Sequence, residues 1–159
     1  MCEAVRRKDR EIADRKRIEE ILREGETVCV AFGGSAPYVI PMNYGFSCED
    51  GKFTLYMHGA SEGEKIERIK ADPRAAFTVF VHNRVYGRGN VGSSWTSSFD
   101  SVCGSGVIRC LEGGEKLFAL RALMAHYAPD VEFEFPESML ERTCVMALEV
   151  LAISGKHHD

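Results

Sequence analysis

Apolar residues recur along the chain at two periods, and the change from one to the other marks out its elements. Ile18, Ile21 and Leu22 form a stripe at helical spacing between Asp14, suited to an N-cap, and Gly25, suited to a C-terminal stop. This pattern predicts an N-terminal helical arm over 1–25. The run Val-Cys-Val-Ala-Phe at 28–32 reads as a strand, and Gly-Gly-Ser-Ala-Pro at 33–37 as a turn. From 38 to 46 the chain alternates strictly: Tyr38, Ile40, Met42, Tyr44 and Phe46 on one face, Val39, Pro41, Asn43 and Gly45 on the other. Glu-Asp-Gly-Lys at 49–52 is a hairpin turn leading into a third strand over 53–57.

A helix is predicted over 61–71, opened by Ser61 and Glu64 as a capping box and closed by Asp72-Pro73. Strands follow over 74–82 and 101–110, separated by a Gly-, Ser- and Asn-rich stretch, 83–98, that reads as a long loop. A second amphipathic helix spans 115–127, with Leu117, Leu120, Leu123, Met124 and Tyr127 on one face, and a sixth strand spans 143–153. Residues 154–159, with His157 and His158, read as an unstructured polar tail. Runs of strands joined by short turns, with helices interrupting only twice after the first, point to a small antiparallel barrel with accessory helices.

Composition narrows this further. A chain of 159 residues fits one domain and can bury a core without disulfide or metal staples. Hydrophobic residues at 45% and charged residues at 28% are ordinary for a globular protein. No apolar run approaches the ~18 residues of a membrane span, and the charged start lacks a signal-peptide h-region, so the expected place is the cytoplasm. Residues 1–17 carry a net charge of +3 and the remainder −7, a poor match for nucleic acid. The six cysteines, at 2, 29, 48, 103, 110 and 144, show no Cys-x-x-Cys and no nearby histidine, so no metal site is expected and the thiols read as reduced.

Candidate chemistry is sparse. Gly87-Arg88-Gly89-Asn90-Val91-Gly92 spells a dinucleotide fingerprint, but Ser93-Ser94-Trp95 follows where a helix should begin, so the glycines belong to a loop. The face of Val39, Pro41, Asn43 and Gly45 is small and includes a proline, which suits an edge strand or the approach of a flat ligand. At Met57-His58-Gly59-Ala60-Ser61, followed by Lys65, a helix start, a glycine and a lysine make a plausible phosphate seat, although Glu62 and Glu64 oppose it unless they point away. His58 fits a solvent edge and His126 a helix end. No side chain stands out as a nucleophile or general base, so any redox chemistry belongs to a cofactor.

The ordered set Arg6-Arg7-Lys8-Asp9-Arg10-Glu11, Pro37-Tyr38-Val39-Ile40-Pro41-Met42-Asn43 and His58-Gly59-Ala60-x-x-Gly63-x-Lys65-Ile66 resembles the Nim-type nitroimidazole-resistance proteins. These are members of the pyridoxamine 5′-phosphate oxidase-like FMN-binding split barrels. Trp95-x-x-x-Phe99-x-Ser101-Val102 with Gly104 and Gly106, and Ile153-x-Gly155-Lys156, are similar to the family's later motifs. Phe99 stands where the family usually has tyrosine, and Cys103 replaces a branched aliphatic residue.

The resemblance implies a six-stranded antiparallel split β-barrel, a homodimer, and FMN at each end of the dimer interface. It implies that Ile40, Pro41, Met42 and Asn43 line the isoalloxazine. His58, Gly59, Ala60, Ser61 and Lys65 would hold the phosphate, and Ser101 and Val102 would come from the second subunit. The expected function is an FMN-dependent oxidoreductase of the nitroreductase type, passing electrons from a reduced nicotinamide to a small acceptor. The alternative is a flavin- or haem-binding module that sequesters or senses its ligand. Oxidation of pyridoxamine phosphate fits less well, because no basic cluster awaits a second phosphate.

Overall fold

Asp14 accepts a hydrogen bond from the Lys16 amide at 2.9 Å and so caps helix α1, Arg15–Glu24, whose buried stripe is Ile18, Ile21 and Leu22. This comes from a computed structural model that describes residues 5–159. A two-residue strand β1, Glu11–Ile12, precedes the helix. Then come β2 Val28–Phe32, β3 Tyr38–Met42, β4 Gly45–Glu49, β5 Lys52–Ala60, α2 Glu64–Ala71, β6 Arg74–Gly87, β7 Trp95–Cys110, α3 Gly113–Tyr127, α4 Glu137–Arg142 and β8 Thr143–His158. Gly25 ends α1 with a negative φ of −71°, so its glycine serves packing: a Cβ there would stand 2.3 Å from Val79 and 2.8 Å from the Tyr44 hydroxyl.

Every strand pairing is antiparallel, in the order β3-β2-β6-β7-β8-β5-β4, with β1 beside β8. The two edges of this sheet, β3 and β4, are separated in sequence only by Asn43 and Tyr44. The sheet must therefore curl until its edges meet, and since they share no ladder the result is a barrel with a seam. The fold is the antiparallel split barrel expected, with eight strands among the described residues in place of six.

The inward positions of the strands fill the barrel with Val28, Val30, Phe77, Val79, Leu55, Met57, Val102, Ile108, Met146 and Leu148. A second, smaller core lies outside it, where Leu111, Ala119 and Leu120 pack on the outward-facing Tyr56, Val145 and Ala147. Residues 145–148 of β8 are consequently buried on both faces.

Four expectations need correcting. The strand expected over 38–46 breaks between β3 and β4, because the Tyr127 hydroxyl of α3 accepts the Tyr44 amide at 2.9 Å and donates to the Glu26 carbonyl at 2.7 Å. The segment 83–98 is mostly a β-hairpin arm: beyond a bulge at Val81/Arg84, Arg84–Gly87 pairs with Trp95–Ser98, and only the tip is loop. The tail 154–159 is the end of β8 through His158, since Lys156, His157 and His158 pair with Ser101, Asp100 and Phe99. Finally, the helix expected from residue 61 begins at Glu64, with Gly63 at φ 106° as its N-cap and no side-chain cap, so Ser61 is not the N-cap.

At the bulge His82 adopts φ 58°, an uncommon conformation for a residue with a side chain. It is held by Glu24 at 2.9 Å and by Asp100 at 3.1 Å. Asp100 is the one buried charged residue among those described, and its carboxylate also accepts from Arg17 at 2.6 Å and His157 at 2.6 Å. This cluster ties α1, the bulge and the end of β8 together.

Candidate functional site

The edge strand β3 and the segment joining β5 to α2 come together through Arg68. Its guanidinium donates to the carbonyls of Ala36 at 2.6 Å and Gly33 at 3.3 Å, lies 4.8 Å over the Tyr38 ring, and pairs with Glu64 at 2.6 Å. One side chain therefore locks α2 against the turn that leads into β3. Arg68 was not singled out in the sequence, although Glu64 and Arg68 at i and i+4 are the spacing of a helical ion pair. The same pair draws the Glu64 carboxylate toward Arg68, which removes one of the two objections to an anion at this helix start.

Lys65 is the second residue of α2 and folds back over the end of β5. A Cβ on Gly59 would stand 2.6 Å from the Lys65 Nζ and 3.0 Å from its Cε, so the lysine reaches this place only because residue 59 is glycine. His58, Ala60 and Ser61 are exposed around it, and the Glu64 and Lys65 amides that open the helix have no intrahelical carbonyl to bond, whereas Ile66 donates to the Gly63 carbonyl at 2.9 Å. A cradle of strand-end backbone, free amides and an ammonium suits an anion such as a phosphate.

On β3, Ile40 and Met42 turn inward, Pro41 and Asn43 face solvent, and β3 pairs only with β2, leaving its other edge without a ladder partner. Asn43 donates to the Glu26 carbonyl at 3.3 Å. Ser101 and Val102 lie elsewhere in the chain. Arg74, next to the end of α2, pairs with Val107, whereas Ser101 pairs with Phe80, six rungs further along, roughly 20 Å at ~3.3 Å per residue. The Val102 side chain is fully buried in the barrel and its backbone lies between ladder partners on both sides, Val79 and Gly155, so a ligand could meet it only along the outer face of β7.

Around these residues the outer surface of β2, β6, β7 and β8 is paved with small side chains. Ala31, Ala76, Ser105 and Ala152 form one cross-strand row, and Cys29, Thr78, Cys103 and Ser154 form the next. A surface of this kind lets another backbone or a flat ring approach closely.

Two cysteines adjoin the lysine. Cys144 is the cross-strand partner of Gly59, and its Sγ lies 2.9 Å from that of Cys110. Burial, with the neighbouring Cys110, pushes the Cys144 thiol up to about 12. A separate cleft of about 960 Å³ opens between α3 and the outer face of β5 and β8, near Tyr56, Phe118 and Leu151. It includes none of the candidate residues, and its Arg109 is already paired with Glu115 and Glu149. No helix among the described residues is long and apolar enough to cross a membrane.

No curated protein matches this chain. Among solved structures it is similar to a protein of Bacteroides thetaiotaomicron assigned to 5-nitroimidazole antibiotic resistance, at 27% identity and TM-score 0.80, covering 92% of this chain and 86% of that one. It shares its fold with an FAD- and haem-binding protein of Mycobacterium smegmatis, at 19% identity and TM-score 0.80, covering 94% and 74%. The fold also recurs in a flavocytochrome of Azotobacter vinelandii, at 19% identity and TM-score 0.79, covering 98% and 72%. A family profile described as pyridoxamine 5′-phosphate oxidase matches residues 14–157, and the chain belongs to that family.

Proposed function

We propose that this protein is an FMN-binding oxidoreductase of the nitroreductase type that works as a cytoplasmic homodimer, taking electrons from a reduced nicotinamide for a small acceptor. The observation that carries the reading is the Lys65 ammonium laid over Gly59 at the start of α2, beside the unpaired edge of β3. The 5′-phosphate of FMN fits this cradle. The ring would then lie along the main chain of Ile40, Pro41, Met42 and Asn43, where Pro41 has no N–H to leave unpaired.

The small-residue rows beside β3 suit a second copy of the chain, and their position gives Ser101 and the Val102 backbone a role. By the family resemblance, these two residues would reach the partner's flavin. Bound FMN supplies hydride and single-electron exchange at its ring. The chain's own part is to anchor the phosphate, flatten one side of the ring site and shield it from water. Relatives of the fold that bind haem favour a second reading, a flavin- or haem-binding module without turnover.

The test is a pair of titrations. Charge-assisted hydrogen bonds from Lys65 to the phosphate are worth roughly 1.5–3 kcal/mol each, so Lys65→Ala should weaken FMN binding about 10- to 100-fold. Riboflavin, which has no phosphate, should bind both proteins alike. Equal FMN dissociation constants for the two proteins would remove the phosphate from this helix. The absorption spectrum of the purified protein separates the cofactors, flavin bands supporting the first reading and a Soret band the second. Reduction by a nicotinamide followed by reoxidation with a nitroaromatic separates turnover from storage.

A further inference from the structure

Cys110 is the last residue of β7 and Cys144 the second residue of β8. Their sulfurs are 2.9 Å apart, and a disulfide needs about 2.05 Å, so less than 1 Å of movement separates the thiol pair from a bond. Cys110 is exposed, whereas Cys144 is half-buried. Everything between them in sequence is the excursion that carries α3 and α4, the helices that roof the second core. The pair therefore sits at the neck of that excursion, where one bond would close the loop at its base. Lys65 and Lys116 lie close enough to Cys144, and Lys70 to Cys110, for their positive charges to be felt at the sulfurs.

We propose that Cys110 and Cys144 are a reversible redox modification site, oxidised to an intramolecular disulfide by low-molecular-weight disulfides of the glutathione class. Cys110, the exposed thiol, loses its proton and attacks one sulfur of the small disulfide. A mixed disulfide forms, and the expelled small thiolate takes up the proton. Cys144 then loses its proton and attacks the Cys110 sulfur, and the second small thiolate leaves with that proton. Two protein thiols are oxidised to one disulfide and one small disulfide is reduced to two thiols. Burial holds the Cys144 thiol protonated, which gives it the second, resolving role.

This exchange needs no flavin, so it is readable in flavin-free protein and stands apart from the fate of the FMN reading. The full chain is incubated with glutathione disulfide, denatured, alkylated with iodoacetamide and mapped by peptide mass spectrometry. Cys110 and Cys144 should lose alkylation together and appear as one cross-linked pair that dithiothreitol releases. Cys144→Ser should instead retain glutathione on Cys110. Closing the loop should raise the thermal midpoint of the wild-type protein by about 5–15 °C, and Cys110→Ser should show no such rise. Wild-type protein in which Cys144 stays alkylatable, whether or not Cys110 carries glutathione, overturns the proposal.

Discussion

The outer surface of the barrel is finished in two different ways. Over β5 and the start of β8 it is large and apolar, with Tyr56, Val145 and Ala147 roofed by α3 and α4. Over β2, β6, β7 and the later part of β8 it is small and mildly polar, and its rows are half-buried or exposed. The roofed half has its stability built in. The bare half avoids a greasy patch by using Ala, Ser, Thr and Cys, and keeps itself flat enough for something else to lie on it. Phe80, 57% exposed in the row beyond, is a large apolar group at its margin.

The sharpest way to break this contrast is to cut into the roof. Leu120 of α3 is 1% exposed in the second core, so Leu120→Ala should cost about 2–5 kcal/mol in urea denaturation. A cost below about 1 kcal/mol would mean that α3 rests on the barrel without stabilising it.

A smaller effect is expected at the rim of the bare half, where Asp100 gathers Arg17, His82 and His157. Burial works against the Asp100 charge, but hydrogen bonds from His157, His82 and Arg17 outweigh it and hold its carboxyl below the usual 3.8. The hydrogen bonds from His157 to Asp100 and Asp159 raise the imidazole above its usual 6.5. The Asp100 contribution is thus fully present above about pH 4 and is lost as pH falls through the lowered value. The His157 contribution is fully present below about pH 6.5 and fades as pH rises through the raised value. Both operate between those limits, so stability should be greatest in that window. Asp100→Asn should lower it there by about 2 kcal/mol and flatten both limbs of the profile. An unchanged pH profile would show that the cluster does not tie α1 to the sheet.

The least effect on stability, and the most informative for the bare half, is expected from Ala76→Glu. Ala76 is exposed, so the variant should fold within about 0.5 kcal/mol of the wild-type protein. Its charge would nevertheless lie in the proposed contact between copies, and sedimentation should shift from dimer to monomer. A dimer unaffected by this charge would place the contact on another face.

Most of the barrel was legible because its signals are local. The Asp50-Gly51 turn, with φ of 49° and 74°, needs only those two residues to form a tight hairpin. The alternation from Tyr38 to Tyr44 likewise reports which side faces the core. What escaped depends on distant partners. The break after Met42 is made by Tyr127, far along the chain. The arm beyond His82 and the end of β8 are held by backbone ladders that need no apolar side chains, so Gly, Ser, Lys and His there read as loop and tail. At the candidate site the Gly59 and Lys65 motif was visible in sequence. Arg68 was not, because its partners are carbonyls of Gly33 and Ala36, which no side-chain pattern reveals.

The seam of the barrel also sets the order in which the molecule can assemble. Its two edges, β3 and β4, are neighbours in sequence, so bringing them together costs almost no chain entropy once the rest of the sheet exists. The expensive event is elsewhere: Thr54 of β5 must find Glu149 of β8, 95 residues further along, before the curl is complete. Refolding should therefore be limited by that long-range pairing and run on the millisecond-to-second scale of non-local β topologies. The seam itself should zip shut late and fast.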